Sequence, residues 1–493
     1  MMGNQRTRKR TRMEEETDVV VIGAGASGLA ALKQLTTTTE LKVVCFEARS
    51  GPAGVWNPES TKGDGRVGFD WAGVPSVEPP PIDASPVYAG LHTNVPKQLM
   101  AFHGQPFVTE HPASSFPPGH EVSTYLLEAA RGLEPLIRFN SLVQRVAHHH
   151  PPPNCNRRWI VEVHPRSKPT PAPNRPRETT IVYCDFVLVA SGHYNVPYVP
   201  FIPSLSTWPK EIIHACAYTS PSDAVFQHKT VAVIGIGPSG YDILRELAMR
   251  REQEQGRGET GGKKLYSVAS HPAKMGWDFG DPAAPSWTRQ ITRVPRVARI
   301  EGGKLWLVDG RPLEDVDLLC FATGYLYDFP FCRPHDPPWA AHPLTLPPPL
   351  PPTLLPPDPA PSGPPTLSKP GLRVHHLDRT QLFFYPDPSL AFLVLVHQAV
   401  PFPVAEHQAR AVAARWSGRR PFALHPMDDE HTESKEVHAM PPPKEFEYEN
   451  LLLDCIGEGA ACHDDQACWK YVPAWKYKAR EDTAANRRLE LGY

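Results

Sequence analysis

One short device occurs twice in this chain, about 210 residues apart: an apolar run that breaks into three spaced glycines and resumes as a helix. The first copy is Asp18-Val19-Val20-Val21-Ile22 followed by Gly23-Ala24-Gly25-Ala26-Ser27-Gly28. A helical pattern runs on to Leu35, and a second apolar run, residues 41–46, ends at Glu47. The second copy is the apolar run 230–234, then Gly235-Ile236-Gly237-Pro238-Ser239-Gly240, a helical stretch 241–249, a glycine- and charge-rich loop 250–264 and another apolar run 265–269. Strand, glycine turn, helix, strand is a βαβ unit. In such a turn the first glycine makes the tight bend and the second lets backbone approach a pyrophosphate. The third lets helix and strand pack closely, and the helix N-terminus faces the negative charge. The pattern predicts an α/β protein with two Rossmann-like dinucleotide-binding domains, the second inserted in the first.

The residues after each second strand make the two turns unequal. Glu47 stands 19 residues after Gly28 at the end of its strand, placed to accept hydrogen bonds from ribose hydroxyls. A carboxylate there would repel a 2′-phosphate, so this turn suits FAD or NAD. The matching stretch of the second copy, Ser270-His271-Pro272-Ala273-Lys274, contains no acid. A hydroxyl, an imidazole and an amine are what a 2′-phosphate requires, which assigns NADPH to Gly235, Gly237, Pro238, Ser239, Gly240, Ser270 and His271. Lys274 and Arg289 are further candidates for the phosphate contact. Two nucleotides in one chain imply hydride transfer from NADPH to FAD. The nine cysteines are scattered, with no CxxC or CxxxxC pair to take the electrons onward. Molecular oxygen is the remaining acceptor.

Several segments resemble the flavin-containing monooxygenases, class B, particularly the soluble fungal members that oxidise thiols. Gly51-Pro52-Ala53-Gly54-Val55-Trp56 is similar to the family's GGxW segment, departing at Pro52-Ala53. Residues 88–102, YAGLHTNVPKQLMAF, resemble its L-x-T-N-x-P-x-x-x-M-x-F stretch. VASGHYNVP at 189–197 and Ala322-Thr323-Gly324-Tyr325 resemble its two ATG-like strand ends, and 384–402 with Gln408 and Trp416 its last flavin-domain block. The family fingerprint F-x-G-x-x-x-H-x-x-x-[YF] falls on residues 208–218. His214 and Tyr218 match, while Trp208 and Lys210 replace the Phe and the Gly. A residue other than Gly at 210 implies an altered loop geometry.

The turn and the resemblance together assign Gly23, Ala24, Gly25, Ala26, Ser27, Gly28, Glu47, Val55, Trp56, Thr93, Asn94, Val146, Thr323 and Gly324 to FAD. The resemblance further implies that oxygen adds at the flavin C4a carbon, that retained NADP+ shields the hydroperoxide, and that a sulfur or nitrogen nucleophile attacks it. The substrate supplies the nucleophile, so no catalytic triad or carboxylate dyad is required. Asn94 is the expected catalytic residue, because its amide both donates and accepts. Tyr rather than Trp at 218 leans away from the Baeyer–Villiger branch. Such a monooxygenase acting on ketones, an NADPH–flavin oxidase or reductase, and a non-catalytic flavin-binding scaffold remain alternatives.

Lys+Arg of 51 against Asp+Glu of 53 gives a net charge of −2 and excludes a nucleic-acid or membrane surface as the main partner. The expected partners are a small S- or N-nucleophile and O2, and a homodimer is compatible with the sequence. Cysteine usage and the lack of an apolar leader or anchor point to a soluble, cytoplasmic protein. No metal site is expected, since Cys455, Cys462, His463 and Cys468 fit no zinc spacing. The 59 prolines cluster and mark insertions. The expected organisation is a disordered basic and acidic tail (1–16, with its Arg6–Arg10 run as solvated chain), a first FAD segment (17–204) with a proline-rich excursion (165–176), an NADPH domain (205–328), a proline-rich surface insertion (331–370), a second FAD segment (371–420) and a C-terminal extension (421–493).

Overall fold

Short runs of β-branched residues, apolar at every position, need cover on both faces, and parallel sheets flanked by helices provide it. Val19–Ile22 and Val231–Ile234 are buried along their whole length and each is the middle strand of a five-stranded sheet. The structure, a computed structural model, describes residues 12–57, 62–110, 114–149, 156–166, 179–257, 263–350, 369–427, 433–459 and 471–492.

The first sheet has the order Leu390–Phe392, Phe186–Val189, Val19–Ile22, Val43–Phe46, Ile137–Arg138, all parallel. The second has the order Glu211–His214, Leu318–Phe321, Val231–Ile234, Leu265–Val268, Ile291–Val294, again all parallel. Every strand of the second sheet falls in the chain between Phe186–Val189 and Leu390–Phe392, so one α/β unit is inserted in the other, as predicted. Helix Ala26–Thr38 follows the first glycine turn and packs on helix Pro401–Trp416. Helix Pro238–Gly256 follows the second. A short antiparallel ribbon, Val196–Pro197 with Tyr325–Leu326, joins the segments leaving the two sheets.

Two expectations change. Residues 12–16 are not tail: Arg12–Glu16 is a strand parallel to Thr179–Cys184, with Glu15 ion-paired to Arg138. Its row of glutamates carries no apolar alternation, so only its neighbour reveals it; residues 1–11 lie outside the described residues. The strands Trp159–Pro165 and Thr179–Cys184 pair antiparallel as the expected hairpin, and residues 167–178 of its excursion lie outside the described residues. The start of the expected surface insertion is interior. Phe331, Cys332, Trp339 and Leu344 are buried in one cluster with Trp159 and Val161, and Arg145 holds Asp336 through Nε at 2.6 Å. Residues 351–368 lie outside the described residues, as do Cys462, His463 and Cys468.

The extension beyond residue 420 is built into the molecule. Tyr448, Leu452 and Ile456 of helix Lys444–Ile456 join the core beside the first sheet, and helices Ala474–Glu481 and Thr483–Leu491 come after it in the chain. Among the described residues no helix is long and apolar enough to cross a membrane.

Candidate active site

The chain leaves both central strands in the same way. Gly23 has φ +99° and Gly235 φ +103°, a region that L side chains rarely enter. A Cβ on Gly28 would lie 1.9 Å from the Gly23 carbonyl oxygen, and one on Gly240 2.0 Å from that of Gly235. The third glycine is therefore a packing requirement at both places. The helices start at Ala26 and Pro238 with Gly25 and Gly237 as N-cap residues, and no side chain caps either. Their first-turn N–H groups are thus left for an anion.

The surroundings differ. Glu47 is buried beneath the first turn; its Oε2 accepts from the Ala24 N–H at 2.6 Å and its Oε1 from the Arg49 N–H at 2.8 Å. The Gly51–Trp56 stretch folds over this turn. The Ala53 N–H donates to the Ala24 carbonyl at 3.1 Å, and a Cβ on Gly54 would lie 3.0 Å from the Gly25 Cα. Ala53 itself sits at φ +76°. The Val55 carbonyl accepts from the Ser85 hydroxyl, and the half-buried Trp56 packs on the first core. The second turn is bare: Gly237, Pro238 and Ser239 are exposed, with open space beside Gly237. Ser270, His271, Lys274 and Arg289 are exposed, and the His271 Nδ1 lies 2.8 Å from the Pro272 carbonyl oxygen.

Thr93 is buried, with its hydroxyl donating to the Val95 carbonyl at 2.9 Å and its N–H to that of Pro117 at 3.0 Å. This fixes the backbone that carries Asn94, which is half-buried and whose amide hydrogen-bonds no described residue. At the second strand end the Thr323 hydroxyl donates to the Tyr198 carbonyl, and the Gly324 carbonyl accepts from the Tyr198 N–H at 2.8 Å. His214 holds the same carbonyl. Its Nδ1 accepts from the Cys216 N–H at 3.1 Å, so the proton is on Nε2, which donates to Gly324 at 3.0 Å. Burial lowers its pKa to about 4, in keeping with a neutral ring. The fingerprint histidine thus pins the Ala322–Gly324 turn. The fingerprint tyrosine, Tyr218, donates to the Glu246 Oε2 at 2.5 Å. Lys210 needs no glycine-like backbone and its Nζ donates to the Val316 carbonyl at 2.6 Å. Val146 is engaged by neighbours: its N–H donates to the Phe331 carbonyl, its carbonyl accepts from the Trp339 indole, and its side chain is wholly buried, so it offers a ligand no free donor.

The model of the flavin-binding monooxygenase-like family matches residues 16–269, just over half the chain. The chain belongs to that family. Membership makes it a monooxygenase and implies a flavin cofactor and the use of NADPH. It is 27% identical over 470 residues to flavin-containing monooxygenase FMO GS-OX-like 2 of Arabidopsis thaliana, covering 88% of this chain and 84% of the relative. It is 26% identical to the thiol-specific monooxygenase of Saccharomyces cerevisiae over 408 residues, 80% and 76% of the two chains. The S-allyl-L-cysteine S-oxygenase of Allium sativum shares the fold, with TM-score 0.67 at 21% identity over 97% of this chain and 94% of that one.

Two residues at this flavin-family site carried no motif. Lys435 donates to the Thr323 carbonyl at 3.2 Å and lies over the Tyr198 ring, 4.6 Å from its centroid. Burial lowers its pKa to about 8. Arg487 is buried against the second glycine-turn helix. Both come from the extension, where only packing places them.

Proposed function

We propose that this protein is an NADPH- and O2-dependent monooxygenase that holds FAD on the turn at 23–28 and NADPH on the turn at 235–240. Its substrates are soft nucleophiles, sulfur or nitrogen, with thiols foremost. The carrying observation is the pair of uncapped helix starts with opposite surroundings, one over a buried carboxylate and the other beside exposed Ser270, His271 and Lys274. Glu47 would hold the FAD ribose while bracing the turn through Ala24. Gly54–Trp56 would shield the flavin side, and Thr323 and Gly324 would border it. Ser270 and His271 would take the 2′-phosphate. When bound, the flavin supplies the activation of O2 with electrons from NADPH. Asn94 would orient it through the amide that no described residue engages, and its half-buried position limits water at the reacting edge. Sulfur and nitrogen are favoured because relatives are named for thiols and, in Pelagibacter ubique, trimethylamine.

The test is NADPH, NADH and O2 consumption with a thiol, an amine and a ketone, coupled to product mass. NADPH preference, with one oxygen atom gained by thiol or amine, supports the proposal; oxygen gained only by the ketone, or peroxide alone with every nucleophile, overturns it. Asn94→Ser should retain flavin and its reduction by NADPH, yet divert about nine-tenths of the reducing equivalents to H2O2, a loss on the scale of one positioned hydrogen bond. Unchanged coupling removes Asn94 from the site.

A further inference from the structure

The helix after the second turn carries an unusual buried charge group on its inner face. Asp242 and Glu246 are buried there, and Arg245 lies 3.6 Å from Asp242 and 3.1 Å from Glu246. The Tyr88 hydroxyl donates to Asp242 and Tyr218 to Glu246. The remaining member comes from far along the chain. Arg487, on helix Thr483–Leu491, reaches the Asp242 Oδ1 with Nη2 at 3.4 Å, and both side chains are almost wholly buried.

Arg487 makes a second contact of a different kind. Its Nη1 donates to the Met275 carbonyl at 3.0 Å, in the stretch that runs on from Ser270-His271. Arg488 stacks over Trp277 at 5.1 Å, and the Trp277 N–H donates to the Tyr241 hydroxyl at 2.8 Å. The same helix also grips the loop below Thr93: the Glu490 Oε1 accepts from the Ser114 hydroxyl at 2.8 Å and the Ser115 N–H at 2.6 Å. One short helix therefore ties the second glycine-turn helix, the loop that follows strand Leu265–Val268 and the 114–116 stretch, whose Ser115 carbonyl accepts from the Lys97 N–H.

The electrostatics give the contact a function. A helix N-terminus attracts phosphate through its amides and dipole, an effect confined to its first turn. Asp242 lies five residues after Gly237, about 7.5 Å along the axis. Without Arg487 the buried group would hold two carboxylates, Asp242 and Glu246, against the single guanidinium of Arg245, and that excess negative charge, screened little by solvent, would oppose an incoming dinucleotide. Pro238 lacks an N–H, so this turn already offers one amide fewer than the first.

We infer that the C-terminal helix is a working part of the second nucleotide site, with Arg487 as the positioning residue that offsets the Asp242 carboxylate and fixes, at Met275, the loop that follows strand Leu265–Val268. The inference rests on the reading that this turn holds NADPH. Arg487 touches no nucleotide atom; it acts through Asp242 and Met275.

The test uses the full-length, flavin-loaded protein with NADP+ as the probe, read as a calorimetric Kd, with flavin content and Tm measured on each variant. Arg487→Met should raise the Kd about tenfold or more while flavin content stays at the wild-type level. Arg487→Lys keeps the charge and should stay within about threefold. Asp242→Asn/Arg487→Met should recover most of the affinity, because it removes the carboxylate that Arg487 answers. An unchanged Kd in Arg487→Met, or a double variant that regains Tm without regaining affinity, overturns the inference. If Arg487→Met does not accumulate as folded protein, the double variant and Arg487→Lys decide by the same criterion. Wild-type protein that binds no NADP+ removes the reading of the second turn and this inference with it. Wild-type binding beside indifferent variants removes the inference alone.

Discussion

The two glycine turns agree in backbone to about a tenth of an ångström where a side chain would collide, 1.9 Å at Gly28 and 2.0 Å at Gly240, yet they face different surroundings. The first is roofed by Ala53 and Gly54 and floored by the Glu47 carboxylate. The second is open at Gly237 and reached by a neutral imidazole only through the Ala322–Gly324 turn. Strand-to-helix packing fixes the bend, so the bend is shared. On the proposed reading, what covers the bend would decide which dinucleotide fits and how readily it leaves. A roofed turn suits a cofactor that stays, and a bare one suits a substrate that exchanges each cycle.

The largest expected effect comes from filling the two third-glycine positions. Gly28→Ala should give protein without flavin and with stability lowered by about 3 kcal/mol, since the methyl meets rigid backbone in a fully packed core. Gly240→Ala should retain flavin absorbance while the Kd for NADPH rises about tenfold or more, because helix Pro238–Gly256 must shift against its strand. Flavin content and NADPH titration on both variants check this. Equal flavin loss in the two would break the distinction between a roofed and a bare turn.

That distinction was partly legible in the sequence. The periodic runs and spaced glycines gave both sheets and the insertion of one in the other, because local pattern suffices for βαβ units. Glu47 could be placed because strand length fixes its distance from Gly28. The assignment of Val146 to FAD met neighbours instead, because whether a strand residue faces a ligand or a neighbour depends on the partner strands and on Trp339, some 190 residues away. The Arg12–Glu16 strand was hidden for a similar reason: a polar edge strand is specified by the edge it joins. Arg487 and Lys435 lay beyond reach as well, since neither sits in a motif and both act only after the last helices dock.

An intermediate effect concerns the support of the second turn. His214 is buried with its pKa lowered from 6.5 to about 4. The unfolded chain therefore takes up this proton first as the pH falls. Stability present above pH 6.5 is lost between 6.5 and 4, at about 1.4 kcal/mol per pH unit. His214→Gln cannot titrate. Its stability deficit at pH 7 should shrink by about 2 kcal/mol at pH 4.5 in denaturant melts. His193, also lowered to about 4 by burial, adds an acid limb of its own to both proteins and cancels in the comparison. A deficit that stays constant with pH would mean that the ring is not held neutral and that the second turn has a charged support like the first.

The smallest effect tests the roof of the first turn. Ala53 departs from the glycine of the resembling segment, yet holds φ +76° and is fully buried. Ala53→Gly relieves a left-handed conformation costing about 1–2 kcal/mol. It also removes a buried methyl worth about 0.8 kcal/mol and adds unfolded-state entropy of about 0.5–1 kcal/mol. The terms nearly cancel, so Tm should move by no more than about 2 °C and flavin content should not change. The shape of the roof would then be set by the Ala53 N–H bond to Ala24, which glycine keeps, rather than by the methyl. Loss of flavin in Ala53→Gly would show instead that the methyl is what holds the cover down. The roofed turn would then depend on a side chain that the bare turn has no counterpart for, and the difference between the two would lie in packing more than in charge.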